Sequence, residues 1–384
     1  MSQQNSVSKE MSPYAPIRLQ NETWWRFADH VAQQGLVARS GQFGGDVPQM
    51  IMAHLVQPIV EAAAIASQTE PEIQQAIPLL IANAYELRHW VPLVSQYQLS
   101  GKQIFDLGDN LVEMLTHTDV EDCTLKNWQA PYDAFFIRFG KQDQISLEFD
   151  EGVREYADGA FIAVTPWDAA NTQRRIKIGF TMVKDDNSGV MLPGYFMDII
   201  PEEQEMPIKE AIQHAIDRRI AAFESEVTET SLSAAIKENR IGQMQECEKI
   251  IKALLELVVN SMFYIESIGG ESKFSPGRDA PPSYVAEWEN ATPEKRVKLR
   301  KKIIHDGYTI VRMAGHELNG STGAHTGDSK KSHWRRGHWR NQPHGEKLSL
   351  VKLVWIKPVM VNADKSTEPV TGHIYVAEDK PAIH

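Results

Sequence analysis

Fourteen residues near the carboxyl end concentrate the side chains of this sequence best suited to chemistry. Ser332 to Gly345 (Ser-His-Trp-Arg-Arg-Gly-His-Trp-Arg-Asn-Gln-Pro-His-Gly) holds three His, three Arg and two Trp, directly after Lys330 and Lys331. Three kinds of chemistry compete for it. Arginine guanidinium is planar and pairs bidentately with phosphate, and Trp and His rings offer stacking faces for unpaired bases, so Lys330, Lys331, His333, Trp334, Arg335, Arg336, His338, Trp339 and Arg340 are candidate RNA contacts. His333, His338 and His344 could instead act as general acid and base beside Arg335, Arg336 or Arg340, which would make the protein a ribonuclease. The third reading is structural: Trp334 and Trp339 as buried anchors, with the cations paired to carboxylates of the protein. A metal fits poorly, because no cysteine is near and the adjacent cations oppose a dication; neither a metal nor a cofactor is expected.

The elements around this segment are set by charge and periodicity. Between Pro293 and Lys357 there are 15 Lys/Arg against 5 Asp/Glu, a net +10, which leaves −21 for the rest of the chain. A basic segment on an acidic body is what a polyanion site requires, because counterion release depends on local positive density. Phosphate-loop, GxGxxG, GxSxG and HExxH signatures are all missing from the sequence, so the familiar enzyme classes they mark lose support. Cys123 and Cys247 stand far apart, as in a reducing compartment. The longest uncharged apolar stretch, from Val47 to Val60, is 14 residues and already contains a proline, short of the roughly 20 residues that span a bilayer; no membrane partner is expected.

At 384 residues the chain has room for a large core. A polar tail over 1–20 is expected to be flexible. A helical region over 21–128 follows, with the pairs Trp24-Trp25 and Val31-Ala32 at helical spacing, further helical patterns over 47–67, 72–97 and 102–115, and Pro58, Pro78 and Pro92 ending or kinking them. From about residue 131 the period changes to 2, so 129–267 reads as a β-sheet with covering helices. A linker or loop is expected over 268–290. The basic C-terminal region 291–384 then carries a helix over 293–303, a strand over 308–313, the His/Arg/Trp segment as a loop, and a strand over 349–361. The fold class is α+β: a helical N-terminal part packed on a mainly antiparallel sheet completed by C-terminal strands. Exposed strand aromatics, Phe135, Phe136, Trp167 and Tyr195, could line a groove for a peptide, although core packing competes for them.

Two strings are familiar. His333 and His338-Trp339, followed by Trp355, Pro358 and Val361-Asn362, resemble the tail of a family of type V-A anti-CRISPR proteins of phages and plasmids. More loosely, 131–137 and 158–164 resemble its central strands. The resemblance implies a non-enzymatic inhibitor that recognises the nascent N-terminal peptide of the type V-A CRISPR nuclease at the ribosome and triggers loss of its mRNA. Its partners would be that peptide and the ribosome or mRNA, in the cytoplasm of a bacterial host.

Overall fold

The computed structural model describes residues 12–38, 46–69, 71–121, 123–142, 145–148, 154–168, 170, 172–184, 191–225, 231–269, 273–316, 318 and 333–361. Its centre is one sheet in the order β7-β6-β5-β3-β1-β9-β8, with β4 paired to β5. The strands are β1 (Ile104–Leu107), β3 (Ala134–Arg138), β4 (Ser146–Glu148), β5 (Arg154–Pro166), β6 (Arg174–Lys184), β7 (Met191–Ile199), β8 (Lys273–Pro276) and β9 (Ile310–Ala314); β2 (Thr118–Asp119) lies outside it. The pairs β1–β3 and β1–β9 are parallel and the others antiparallel. The α+β class and the mainly antiparallel sheet are as the sequence predicts; of the expected C-terminal strands, β9 joins this sheet, whereas the strands over 350–361 pair in two smaller sheets.

Side chains alternate across this sheet because successive Cβ atoms point to opposite faces. Ala134, Phe136, Phe161 and Ala163 face one core, and Phe135, Ile137, Ala160 and Ile162 the other. Both faces are therefore apolar, and each needs a helical cover. On the first lie α1 (Thr23–Gln33), α2 (Gln57–Thr69) and α3 (Pro71–Leu99); on the second, α4 (Asp109–Thr116), α5 (Ile208–Glu224), α6 (Ser231–Glu246) and α7 (Glu248–Ile268) contribute. Phe161 is the hub of the first core, with Trp25, Trp90, Tyr97 and Phe136 rings 4.7–6.1 Å from it. Gly179 on β6 lets α3 approach, since a Cβ there would lie 2.6 Å from Leu93 Cδ2.

Several sequence expectations are corrected. The segment 102–115 is not one helix: Ile104–Leu107 is buried throughout and becomes β1, because a strand in mid-sheet is covered on both faces, its apolar residues by the two cores and Asp106 by hydrogen-bond partners. Pro78 and Pro92 lie inside the uninterrupted α3; packing against the sheet over Trp90–Tyr97 outweighs the lost hydrogen bonds. Pro58 sits at the start of α2, preceded by the π turn Met52–Val56. The expected linker 268–290 contains β8 and α8 (Pro282–Glu289), which seal the sheet edge. The N-terminal tail is anchored from Ser12 onward, with Tyr14 and Ala15 fully buried; residues 1–11 lie outside the described residues.

Candidate functional site

The His/Arg/Trp segment is not a loop. It forms β10 (His333–Arg335) and β11 (Gly337–His344), and the single strand expected after it is divided into β12 (Leu350–Ile356) and β13 (Val359–Val361). β11 and β12 make an antiparallel ribbon in which Trp339 faces Trp355, and β11 joins the body through parallel pairing of Gly337 and His338 with β2. The two indoles stack at 6.1 Å between centroids and meet Phe263 and Tyr264 of α7 edge-on. Trp339 is 5% exposed, and its indole N–H donates to Asn260 Oδ1 at 2.8 Å. Asn260 in turn donates to the Leu115 and Thr118 carbonyls, and Trp355 donates to Thr118 Oγ1 at 3.1 Å. A polar atom deep in an apolar core needs such partners; here they fix the ribbon's register on α7.

Period-2 alternation then assigns the other face of the ribbon. His338, Arg340, Gln342 and His344 share it with their cross-strand partners Ile356, Val354, Lys352 and Leu350. His338, Arg340, Gln342 and His344 are exposed, as are Arg335 and Arg336. Arg340 donates to Gln342 Oε1 at 2.7 Å. Arg336, half exposed, stands 3.9 Å from Asp119 Oδ2, a separation at which a surface pair contributes little. The cations therefore face solvent, which is the arrangement a polyanion requires. Trp339 departs from expectation: its ring is sealed against α7 and has no free face for a base. His333 and Trp334 pair in β10 with Val361 and Met360. Lys330 and Lys331 lie outside the described residues.

The strand geometry separates the expected acid–base histidines. His338 and His344 are six residues apart on one strand, roughly 20 Å at ~3.3 Å per residue, so they cannot both touch one phosphodiester. Behind the ribbon, burial and then the nearby Arg336 charge lower His117 to about 4, and its carbonyl accepts from Gly337 N at 2.9 Å.

Of the expected peptide contacts, Phe135 and Phe136 are fully buried, in opposite cores, which corrects the reading of them as groove residues: a strand with a core on each side buries odd and even positions alike. Trp167 is 43% exposed in the turn after β5, with the Arg175 guanidinium over its ring. Tyr195 is half-buried on β7, its hydroxyl 2.9 Å from Cys247 Sγ. The four residues do not form one surface.

One polar cluster escaped the sequence reading. At the carboxyl ends of β1, β3 and β9, fully buried Asp106 accepts from Tyr14 Oη at 2.6 Å and from the Arg138 and Arg278 guanidinium groups at 3.2–3.3 Å. Arg278 also reaches Asp109, and His316 Nε2 lies 3.0 Å from the Asp106 carbonyl. Burial and the Asp106 charge push the Tyr14 phenol well up, so it remains a donor. Gly108 lets the β9 end approach, since a Cβ there would lie 2.7 Å from the Gly315 carbonyl oxygen. Beside the cluster, burial, opposed by Arg138, raises buried Asp158 to about 6, and Oδ2 of Asp158 has no hydrogen-bond partner among the described residues. The signal in the sequence was Asp106-Leu107-Gly108-Asp109, a strand-to-helix turn hidden when 102–115 is read as helix. The network ties residues 12–14 and 278–279 to the sheet. Among the described residues, no three His, Cys, Asp or Glu side chains are placed to hold a metal, and no helix is long and apolar enough to cross a membrane.

The sheet, the helices on its second face and the attached ribbon lie almost wholly within the stretch that identifies the chain, and the helices on the first face precede it. Residues 105–363, well over half of the sequence, match the AcrVA2-like, Anti-CRISPR type V subtype A2 family, and the chain belongs to that family. Its function is that of an anti-CRISPR protein, directed at a CRISPR nuclease. A crystal structure of AcrVA2 aligns at 12% identity over 82% of this chain and 97% of that one, with a TM-score of 0.32. No curated protein matches the sequence.

Proposed function

We propose that this anti-CRISPR protein acts while the type V-A nuclease is being synthesised: it binds the nascent N-terminal peptide of the nuclease at the ribosome, and translation and the message are lost as a consequence. The observation that carries this reading is the two-sided ribbon within the family segment. Trp339 and Trp355 hold one face to α7, and the other presents His338 and Arg340 to solvent, next to Arg335 and Arg336. Guanidinium groups in that setting suit phosphates of the ribosome or message. Among the described residues β12 is the outer strand of its sheet, and Leu350 and Val351 on it are 56% and 64% exposed. An extended peptide can add to such an edge through main-chain hydrogen bonds, with apolar side chains giving selectivity. Main-chain bonding at this edge runs in the plane of the ribbon, with Val351 on the face opposite the cations and Leu350 beside them, so both partners can be held together.

Ribosomes recovered with the tagged protein from cells carrying a type V-A system should be enriched in nascent chains of the nuclease and in its mRNA. Equal recovery of unrelated nascent chains would overturn the reading.

A further inference from the structure

A second basic feature lies away from the ribbon. Helix α9 (Pro293–His305) begins with Thr292 as N-cap, accepting from Lys295 N, and carries Lys295, Arg296, Lys298, Arg300, Lys301 and Lys302 against one acidic residue, Glu294. Leu299 and Ile303 fix it to the body beside Trp288. This leaves Pro293, Arg296, Val297 and Arg300 along one stripe, which with Lys273, Phe274 and Trp288 lines an open pocket of about 400 Å³.

The lining is chemically specific. The Arg296 guanidinium lies over the Trp288 ring at 5.7 Å while its Nε donates to the Trp288 carbonyl at 3.0 Å. The Arg300 guanidinium lies over Phe274 at 4.9 Å. Trp288 is held by its own N–H, which donates to the Phe274 carbonyl at 2.9 Å. Two guanidinium groups of the lining thus lie against aromatic rings, Phe274 also being approached by Arg312 at 4.1 Å, and the 60%-exposed Val297 stands between them on α9. Among the described residues Lys273, Lys295, Lys298, Arg300 and Lys301 make no ion pair; of the cations on α9, Lys302 meets a carboxylate, Glu287, at 4.0 Å. Uncompensated cations flanking an apolar, guanidinium-lined slot suit a ligand that is both flat and anionic.

We propose that this cavity binds single-stranded RNA, taking one unpaired base against Arg296, Val297 and Arg300, with neighbouring phosphates on Lys273 and on the lysines of α9. A base stacks on guanidinium planes as well as on aromatic rings, and a duplex cannot place a base in the slot without unpairing it. The site is separate from the ribbon and holds whether or not residues 335–340 touch RNA.

The test uses the full-length protein and a fluorescently labelled 12-nucleotide oligouridylate, titrated at several salt concentrations. The Lys273→Ala/Arg300→Ala variant, altered at solvent-facing positions, should bind about tenfold or more weakly, with the salt dependence shallower by roughly 0.7 for each phosphate no longer neutralised. Val297→Asp, which removes no cation, should also weaken binding, and an RNA duplex of equal length should compete poorly. Thermal melts report folding of each variant. Unchanged affinity in the double variant, no binding by the unmodified protein, or equal competition by duplex RNA would each overturn the site, the last reducing it to a diffuse charged surface. A loss confined to Arg335→Ala/Arg340→Ala would assign RNA to the ribbon alone.

Discussion

Trp339 donates its indole N–H to Asn260 Oδ1 at 2.8 Å in the protein interior, so a residue on the ribbon and a residue on α7 satisfy each other's buried polar atoms. Trp339→Phe is expected to keep most of the packing but strand the Asn260 oxygen, at a cost of about 1–3 kcal/mol. Trp339→Ala adds a cavity and should cost about 3–5 kcal/mol. Arg340→Ala, on the opposite face, should stay within ~0.5 kcal/mol. Urea denaturation orders the three; equal effects from Trp339 and Arg340 would refute the two-faced ribbon.

The cations of the ribbon are expected to act on binding rather than on stability. The Arg335→Ala/Arg336→Ala/Arg340→Ala variant should bind ribosomes less well and lower the salt slope of RNA binding by roughly 2, at about 0.7 per neutralised single-strand phosphate. Binding of the nuclease's N-terminal peptide should survive, as read by calorimetry. Loss of both activities together would argue against separate surfaces for the two partners.

Asp106 holds two guanidinium groups and the Tyr14 hydroxyl around one buried carboxylate. Removing one partner of a buried charge network leaves the others uncompensated, so Asp106→Ala should cost about 3–5 kcal/mol. Tyr14 loses its partner too, so proteolysis should rise within residues 12–20 before the rest of the fold is lost. A variant with unchanged melting and cleavage would contradict the anchoring role.

Asp158 sets a pH dependence of known sign. Burial raises its pKa from 3.8 to about 6 in the folded protein, so as pH rises from 4 the unfolded chain releases this proton first. The contribution of Asp158 to stability therefore falls between about pH 4 and 6 and stays low above that. Asp158→Asn removes the penalty: relative to the unmodified protein it should be nearly neutral at pH 4 and more stable by up to roughly 3 kcal/mol at pH 7, about 1.4 kcal/mol per pKa unit. A stability difference that is the same at both pH values would show that the carboxylate is not strained by burial.

The N-terminal helices, the period-2 block from about residue 131 and the concentration of positive charge beyond Pro293 follow from local pattern, so the sequence alone determined the α+β class, the mainly antiparallel sheet and the basic carboxyl end. Periodicity reports which residues are apolar and how often, but not how many sides of an element will be covered. That is why the pattern places Ile104–Leu107 in a helix, why it leaves Phe135 and Phe136 open to a surface position, and why it puts a break at Pro92 in a helix that tertiary packing keeps whole. The same ambiguity governs the His/Arg/Trp segment: Trp334 and Trp339 have the same neighbours in sequence, a histidine before each and Arg335 or Arg340 after. Only strand pairing and α7 decide that the Trp339 ring lies inside, that Arg340 faces water, and that His338 and His344 stand too far apart to work on one bond. The Asp106 network joins residues more than 200 positions apart in sequence, and such contacts exist only once the chain has folded, because burial supplies the low-dielectric setting in which these groups need one another.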